Sequence, residues 1–442
     1  MARLSVYHGA DHTWLGYLKK VRISERITSG ARLLGVQGLT VFSLREKERV
    51  MEVCETPKNI GLRGITIADT KVGDVDGNAG RLVYRGYLIT DLANKVSYEE
   101  VVHLLLREKL PGRSELGSFK AELVAERPVP PGVLAAMKTF PNTAVPMDVL
   151  QAGVALLAHH DPDLMDTSRE ANGRKAIRLV AKLPTIVAAW ERIRNGKKPL
   201  EPNPDLGHAA DFLYMLYGKP VDGEVAKYFD TAMVLHAEHG FNASTFAARE
   251  VASTRAHMYA AVSAAIGSLS GELHGGANAR VMQMLLEIGT ADRVESYVKA
   301  KLDAGDKIMG LGHAVYNVDD PRAHILAPMS RAVGERFGQP QWYEMSRLLE
   351  KKAKEVFRKL KGRDIPVNVD FYSASFYYAM GIPIDLFTPI FAMARAAGWT
   401  AHVIEEQFAE AAPKPMLYRP ESEYVGRYCG PDVCSFLPID ER

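Results

Sequence analysis

Residues 245–269 read TFAAREVASTRAHMYAAVSAAIGSL, and the apolar side chains of this stretch indicate the fold class. Met258, Val262, Ile266 and Leu269 follow one another at intervals of three or four residues. Such spacing places side chains on one face of a helix, whereas a half-buried strand requires alternation. We therefore predict that Thr245–Leu269 is helical.

The same spacing recurs in further segments, each bounded by Gly, Pro or Asn. They are Met147–His159, Ala176–Ile193, Ala209–Tyr217, Glu224–His236, Met345–Leu360 and Pro389–Glu406. Ser97 and Glu100 form a capping box that predicts another helix start. Strands do not alternate with these helices, which disfavours a doubly wound nucleotide-binding sheet. The fold class is predicted to be all-α.

Residues 61–92 carry the one clear β signal of the sequence. β-branched and aromatic residues surround the turn-forming DGNAG of residues 76–80. This arrangement predicts short strands or a hairpin, that is, a short N-terminal β element ahead of the helices. The first 60 residues form an extension to which the sequence assigns no chemistry.

Bulk composition is that of an ordinary globular chain. Of the 442 residues, 47% are hydrophobic and 24% charged, which excludes wholesale disorder, collagen and coiled coils. The formal charge of +2 gives no nucleic-acid or anionic-membrane footprint. Between Arg255 and Glu272, the least charged long stretch is shorter than the roughly 20 apolar residues of a membrane span. We expect neither a nucleic-acid nor a membrane partner.

Cysteine usage and the N-terminus bear on the cellular compartment. Cys54, Cys429 and Cys434 are too few and too poorly spaced for a disulfide framework or a zinc site. The starting sequence has no apolar core of a secretory signal. The expected location is the cytoplasm.

Two histidines, His236 and His239, extend an apolar stripe and are predicted to lie on the inner face of one helix. For His236 the pattern favours a core histidine whose ring nitrogens bond to backbone carbonyls. A zinc site is disfavoured because HAEH lacks the i, i+4 pair of the zincin pattern. HHDPDLMD at 159–166 resembles a metal site in composition, but its Asp-Pro punctuation indicates a solvated loop.

Two further histidines lie in glycine-rich stretches. His274 follows the long helix within GELHGGAN, where glycines allow a ligand to approach the backbone. His313 follows Gly310 and Gly312, and Arg322 comes nine residues later. No strand precedes these glycines, so a dinucleotide fingerprint is rejected. Free backbone groups, an imidazole and a guanidinium suit a ligand that carries a carboxylate.

Three charged residues stand in unusual surroundings. Asp370 falls in an apolar and aromatic run, which suits either a desolvated general base or a cap of the following helix. Arg395 interrupts an apolar helix, and a buried arginine is best explained by a carboxylate partner. Arg419 stands in YRPESEYVG.

Seven motifs in this order together resemble the citrate synthase family over residues 61–426. They are YRGY (84–87), LHAEHGFNAST (235–245), GELHGGAN (271–278), GLGHAVYNVDDPRA (310–323), NVDFYSAS (368–375), FAMARAAGWTAH (391–402) and RPESEYVG (419–426). The resemblance implies an enzyme that condenses acetyl-CoA with oxaloacetate and hydrolyses citryl-CoA to citrate and CoA. It also implies a homodimer with shared active sites, without a metal or another cofactor.

The resemblance implies a large multi-helix domain and a smaller helical domain that close over a cleft between them. The large domain is expected to comprise residues 61–275 and 386–442, the latter including a C-terminal arm. The small domain is expected to span about 276–385, and residues 1–60 precede both.

The resemblance also implies roles for individual residues. His274 matches the histidine that hydrogen-bonds the thioester carbonyl, His313 the one that polarises the ketone, and Asp370 the base. The residues implied to hold oxaloacetate are His239, Arg322, Arg395, Arg419 from the partner subunit, and Arg85. Main chain that contacts CoA is implied for Lys307, Ile308, Met309, Gly310, Leu311, Gly312, Ala314 and Val315.

Two departures from the family pattern affect the site. Glu272 stands where the family commonly has Pro, which places a carboxylate two residues from His274. Ala314 stands where many bacterial members have Arg, so one possible contact to CoA or citrate is missing.

Related activities remain open from sequence alone. A 2-methylcitrate synthase would use propionyl-CoA, and one methylene is worth only about 1–3 kcal/mol of discrimination. A citryl-CoA lyase would cleave on the same fold. A silent carboxylate or CoA sensor is disfavoured because both Asp370 and His274 are present, and a metallohydrolase would require zinc.

Overall fold

The computed structural model describes residues 61–62, 64–313, 315–426 and 437–441. Predictions for residues 1–60, for the three cysteines and for Ala314 lie outside the described residues. Contacts divide the chain into Met1–Ile65 and Thr66–Arg442. The sheet, the helices and the candidate site all lie in the second unit.

The predicted hairpin is present. Strands β1 (Gly73–Asp76) and β2 (Arg81–Tyr84) pair antiparallel around the predicted turn, and β3 (Tyr87–Leu88) adds to β2. The turn packs tightly against a later loop, since a Cβ on Gly77 would lie 2.0 Å from the carbonyl oxygen of Val315. Asn317 donates its backbone N–H to the Gly77 carbonyl at 2.8 Å. The small sheet therefore supports the loop that follows His313.

Helices make up most of the described part of the chain, as predicted. They are α1 (Ile89–Leu92), α2 (Tyr98–Arg107), α3 (Arg113–Glu126), α4 (Pro131–Met137), α5 (Pro146–Ala158), α6 (Arg169–Arg194), α7 (His208–Tyr217), α8 (Gly223–His236), α9 (Ala243–Ser253), α10 (Met258–Ser270), α11 (Ala277–Ile288), α12 (Val294–Asp303), α13 (Pro321–Arg336), α14 (Gln341–Lys361), α15 (Val369–Ala379) and α16 (Phe387–Phe408). The capping box is confirmed, because Ser97 and Glu100 bond to each other's backbone N–H groups at the start of α2.

The prediction of one continuous helix over 245–269 is wrong. The segment forms two helices, α9 and α10, and the helical path is interrupted between them at Arg255, which has a φ of 64°. The His257 side chain then caps α10 by accepting from the N–H of Ala260 at 3.1 Å. Apolar spacing continues across the break because both helices bury the corresponding face, so periodicity alone did not reveal it.

Helix α16 lies at the centre of the core. Nearly its whole length is buried, and it packs against α6, α9 and α10. Its Trp399 donates Nε1–H to the Ser244 hydroxyl at 3.1 Å, which ties α16 to the first turn of α9. Within the described residues no helix is long and apolar enough to cross a bilayer. The division into a large and a small domain stays a prediction.

Candidate active site

The sequence-predicted residues His239, His313, Arg322 and Arg395 converge at the end of α8. The rings of His239 and His313 lie 5.7 Å apart, centroid to centroid. Arg322 donates Nη1–H to the Leu235 carbonyl at 3.4 Å, and Arg395 donates Nε–H to the His236 carbonyl at 2.6 Å. The carbonyls at the end of one helix thus hold two guanidinium groups beside two imidazoles.

His236 and His239 do not share a helix face, so that prediction is wrong. Helix α8 ends at His236, and His239 lies in the following turn, where Gly240 has a φ of 57°. His236 is a buried core residue whose Nδ1 bonds to the Ala232 carbonyl at 2.6 Å, as favoured from sequence, while its Nε2 has no partner among the described residues. His239 bonds through Nε2 to the Tyr316 hydroxyl at 3.3 Å.

His274 lies in the loop after α10 and reaches the N-terminus of α9. Its Nε2 accepts the backbone N–H of Ser244 at 3.1 Å. Burial, and secondarily the charge of Arg395, lowers the pKa of His274 to about 4. The ring is therefore neutral at pH 7 and carries its proton on Nδ1. The exposed Glu272 does not keep it protonated.

His313 is fixed in the complementary tautomer. Its Nδ1 accepts the backbone N–H groups of Val315 at 2.9 Å and Tyr316 at 3.1 Å. Burial lowers the pKa of His313 to about 4, and the nearby Arg322 adds to the shift. The neutral ring consequently presents Nε2–H as a donor.

The backbone around Gly310 and Gly312 is less free than the sequence suggested. Asn368 donates its N–H to the Gly310 carbonyl at 3.0 Å, and Gly312 donates to the Pro366 carbonyl at 2.7 Å. The Asn368 side chain also donates to the Gly312 carbonyl at 3.2 Å. These bonds join the His313 loop to the segment that leads into Asp370. In the same loop Ile308 is buried, whereas Lys307 and Val315 are exposed.

Asp370 lies in the first turn of α15, but it does not cap the helix. The cap is Asn368, whose side chain accepts the N–H of Asp370 at 3.1 Å. Burial raises the pKa of Asp370 to about 6, even though the Arg322 charge opposes the shift. Of the two interpretations left open by the sequence, the cap is thus excluded. A carboxylate with a raised pKa remains, and that property suits a general base.

Arg322 and Arg395 differ in how their charges are balanced. Arg322 forms a bidentate pair with Asp320, at 3.0 Å from Nε and 2.7 Å from Nη2. Arg395 is 2% exposed, lies over the Phe391 ring at 4.6 Å and has no salt bridge within the part of the chain described. Burial lowers the pKa of Arg395 to about 10. Of these two arginines, Arg395 therefore has the greater need for an anionic ligand.

One set of potential metal ligands occurs in the site: atoms of His239, His313 and Asp320 lie within 4.8 Å of one another. Both oxygens of Asp320 already bond to Arg322. A metal ion would have to break that pair, so the arrangement is better suited to orienting the arginine than to holding a metal.

Arg85 and Arg419 are not brought into this group within the single chain. Arg85 donates to the Leu105 carbonyl and lies near Glu108 and Glu410. Arg419 is exposed on the segment after α16.

Sequence reasoning missed three residues that shape the site. The Ser244 backbone orients His274, and the Tyr316 hydroxyl contacts His239. Arg280 donates to the Gly275 carbonyl at 3.2 Å, and its charge acts on Asp370. The aromatic residue three positions after His313, within the same motif, was a signal for Tyr316. A backbone donor such as that of Ser244 leaves no signal in residue type.

Comparisons with known proteins show which family the chain is similar to. A family model described as "Citrate synthase, C-terminal domain" matches residues 61–421. A citrate synthase of Haloferax volcanii is 48% identical over 387 residues, covering 86% of this chain and 98% of the relative. A 2-methylcitrate synthase of Mycobacterium tuberculosis is 41% identical over 366 residues, covering 83% and 90%.

A solved structure is also similar over most of the chain. It is a citrate synthase of Thermoplasma acidophilum, described as a ternary complex with carboxymethyl coenzyme A and oxaloacetate. The two folds superpose with a TM-score of 0.78 at 29% identity, covering 86% of this chain and 98% of the solved one.

Proposed function

This chain belongs to the citrate synthase family, and on that premise we propose that it joins the methyl carbon of acetyl-CoA to the ketone carbon of oxaloacetate. Hydrolysis of the resulting citryl-CoA then gives citrate and CoA. The reaction needs a base for a weak carbon acid, a donor for each of two oxygens, and cations for a dicarboxylate.

The observation that carries the proposal is that backbone N–H groups fix two neutral imidazoles in opposite tautomers. Ser244 N–H occupies Nε2 of His274, and two backbone N–H groups occupy Nδ1 of His313. Each ring therefore has one remaining N–H, which can donate but cannot accept. Two preorganised donors suit two oxygens that gain negative charge, the thioester oxygen and the ketone oxygen.

Asp370 supplies the base in this scheme. Its carboxylate takes a methyl proton of acetyl-CoA while His274 Nδ1–H stabilises the enolate oxygen. The enolate carbon then bonds to the ketone carbon, and His313 Nε2–H stabilises the oxygen that becomes the hydroxyl. Water finally cleaves the thioester. Every step uses groups of this chain and its substrates, so the proposal includes no metal or redox cofactor.

Substrate binding is assigned to the cations and to the loop before His313. We assign oxaloacetate to Arg322, Arg395 and His239. Arg395 is the strongest of these assignments, because it is buried without a carboxylate partner in the described chain. Arg85 is also assigned to the substrate, although in the single chain it contacts Leu105, Glu108 and Glu410. The main chain of residues 307–315 is assigned to CoA.

Assembly and context follow the same family pattern. We propose that the protein is a cytoplasmic homodimer. Its product, citrate, would enter the tricarboxylic acid cycle. Arg419, exposed in the single chain, enters the partner subunit's site.

The direct test mixes purified protein with acetyl-CoA and oxaloacetate and follows release of free thiol. We expect release that depends on oxaloacetate. Thiol release without oxaloacetate would indicate a thioesterase, and condensed thioester without thiol release would indicate a citryl-CoA lyase. Repeating the assay with propionyl-CoA separates the 2-methylcitrate reaction by the ratio of the two kcat/KM values.

A further inference from the structure

A group of buried charged side chains behind His239 takes no part in the proposed chemistry. Glu238, Arg249, His402, Glu405 and Glu406 are between 0% and 7% exposed. Isolated buried charges are costly, so each of them needs partners. The partners form a continuous series of hydrogen bonds, which we call the Arg249 network.

One end of the Arg249 network holds the turn that carries His239. Glu238 accepts the backbone N–H of Gly240 and bonds to Nε2 of His402 at 3.2 Å. Nη1 of Arg249 lies 3.1 Å from Nδ1 of His402. Since arginine only donates, Nδ1 is the acceptor and Nε2–H donates to Glu238. The turn is thereby bonded to α9 and α16.

The other end holds the segment that carries Arg419. Arg249 bonds to Glu405 at 2.5 Å and to Glu406 at 2.7 Å. The Tyr418 hydroxyl donates to the same Glu406 oxygen at 2.6 Å.

Two further contacts fix Tyr418. Its backbone N–H donates to the Ser253 hydroxyl at 3.2 Å, and its ring stacks on Phe246 at 6.1 Å. Residues 411–426 have no helix or strand, and these contacts restrain the chain immediately before Arg419.

We propose that the Arg249 network positions Arg419 for oxaloacetate, with Tyr418 as the positioning residue, by tying its segment to the turn that carries the same subunit's His239. The inference rests on the proposed function, which assigns both Arg419 and His239 to that substrate. An arginine on an irregular segment loses conformational freedom when it binds an anion. Restraining the preceding residue lowers that loss before the substrate arrives, whichever subunit's site Arg419 enters.

The test removes a single oxygen with Tyr418→Phe. Deleting Arg249 would leave two buried carboxylates, Glu405 and Glu406, without their cation, whereas Tyr418→Phe keeps the ring and the backbone contact. We expect KM for oxaloacetate to rise about three- to tenfold, the range of one hydrogen bond to a charged acceptor acting partly through position. kcat and KM for acetyl-CoA should stay within about twofold, because Tyr418 contacts no group assigned to that substrate.

Tyr228→Phe is the matched control. It also removes a tyrosine hydrogen bond to a glutamate, Glu224 at 2.9 Å, but on an exposed face of α8. Its kinetic constants should equal those of the wild type. Ser253→Ala removes the acceptor of the Tyr418 N–H and should raise the oxaloacetate KM in the same direction, which keeps the test valid if Tyr418→Phe folds poorly.

A double mutant decides whether Tyr418 acts through Arg419. In an Arg419→Ala background, Tyr418→Phe should weaken oxaloacetate binding, measured by calorimetry, by less than about twofold. The inference is overturned if the two effects multiply, or if Tyr418→Phe and Ser253→Ala leave the oxaloacetate KM unchanged in an active protein. A wild-type protein without oxaloacetate-dependent activity would instead refute the proposed function.

Discussion

Asp370 shows how one residue acquires a reactive character from its surroundings. Asn368 caps α15, so the Asp370 carboxylate does not serve as the helix cap. Burial raises its pKa, and Arg322, Arg280 and Arg395 oppose that shift. A base with a pKa near the working pH combines ionisation with proton affinity.

Asp370→Asn should lose nearly all condensation, about 10²–10⁴-fold in kcat or more, because the amide cannot accept the methyl proton. Oxaloacetate should still bind, as calorimetry without acyl-CoA would show. Near-normal turnover of the purified variant would refute the assignment.

A stability measurement provides the control for this variant. The folded pKa of Asp370, about 6, lies above the ordinary value of 3.8, so the folded state binds the proton more tightly in between. The contribution of Asp370 to stability therefore falls as the pH rises from about 4 to about 6. Asp370→Asn should melt at or above the wild-type temperature at pH 7, and any advantage should vanish near pH 4.

The pH dependence of the reaction should report the same carboxylate. Activity should fall as the pH falls through about 6, because protonation of Asp370 removes the base. The pKa values of His274 and His313, each lowered to about 4, place their titration further down. The profile of kcat/KM for acetyl-CoA measures this limb. Constant kcat/KM down to pH 5 would contradict it.

Arg395→Leu should raise the oxaloacetate KM roughly 30-fold or more, since loss of one partner of a buried charged pair costs several kcal/mol. The acetyl-CoA KM should change far less, because Arg395 is assigned to the dicarboxylate. Steady-state kinetics with each substrate varied in turn gives both constants. Equal changes in the two would argue against the assignment.

At the scale of elements, many of the helices were predictable from apolar periodicity, whereas their interruptions were not. Segments such as Glu224–His236 matched α8 within a residue because burial of one face creates the periodicity. The break at Arg255 and the turn carrying His239 depend on single backbone angles, which periodicity does not encode. The active-site motifs were recognised from residue type and from their order along the chain. The tautomers of their histidines, however, are set by backbone donors such as the Ser244 N–H.

The loop that carries His313 gives a prediction with an internal control. Gly310 and Gly312 have φ angles of 80° and 85°, so alanine is strained at both. A Cβ on Gly310 would also lie 2.6 Å from the Phe371 ring, whereas at Gly312 it would meet open space. Gly310→Ala should therefore lower kcat/KM for acetyl-CoA several-fold more than Gly312→Ala. Equal losses would show that the loop does not depend on its packing against α15.

At the scale of the whole molecule, the shared site can be tested by mixing two inactive variants. Asp370→Asn and Arg419→Ala should each be nearly inactive alone. After joint unfolding and refolding, about half the dimers are mixed and half of their sites have both groups, so roughly a quarter of wild-type activity should return. Activity no higher than that of the separate variants, with mixed dimers shown to be present, would place Arg419 in its own subunit's site.

The most direct measurement of the central claim is the amount of citrate formed for each CoA released, in wild type and Asp370→Asn side by side. With acetyl-CoA and oxaloacetate, we predict one citrate per CoA in the wild type and neither product above background in the variant. CoA release without citrate, or equal citrate formation by both proteins, would contradict a condensation that depends on Asp370.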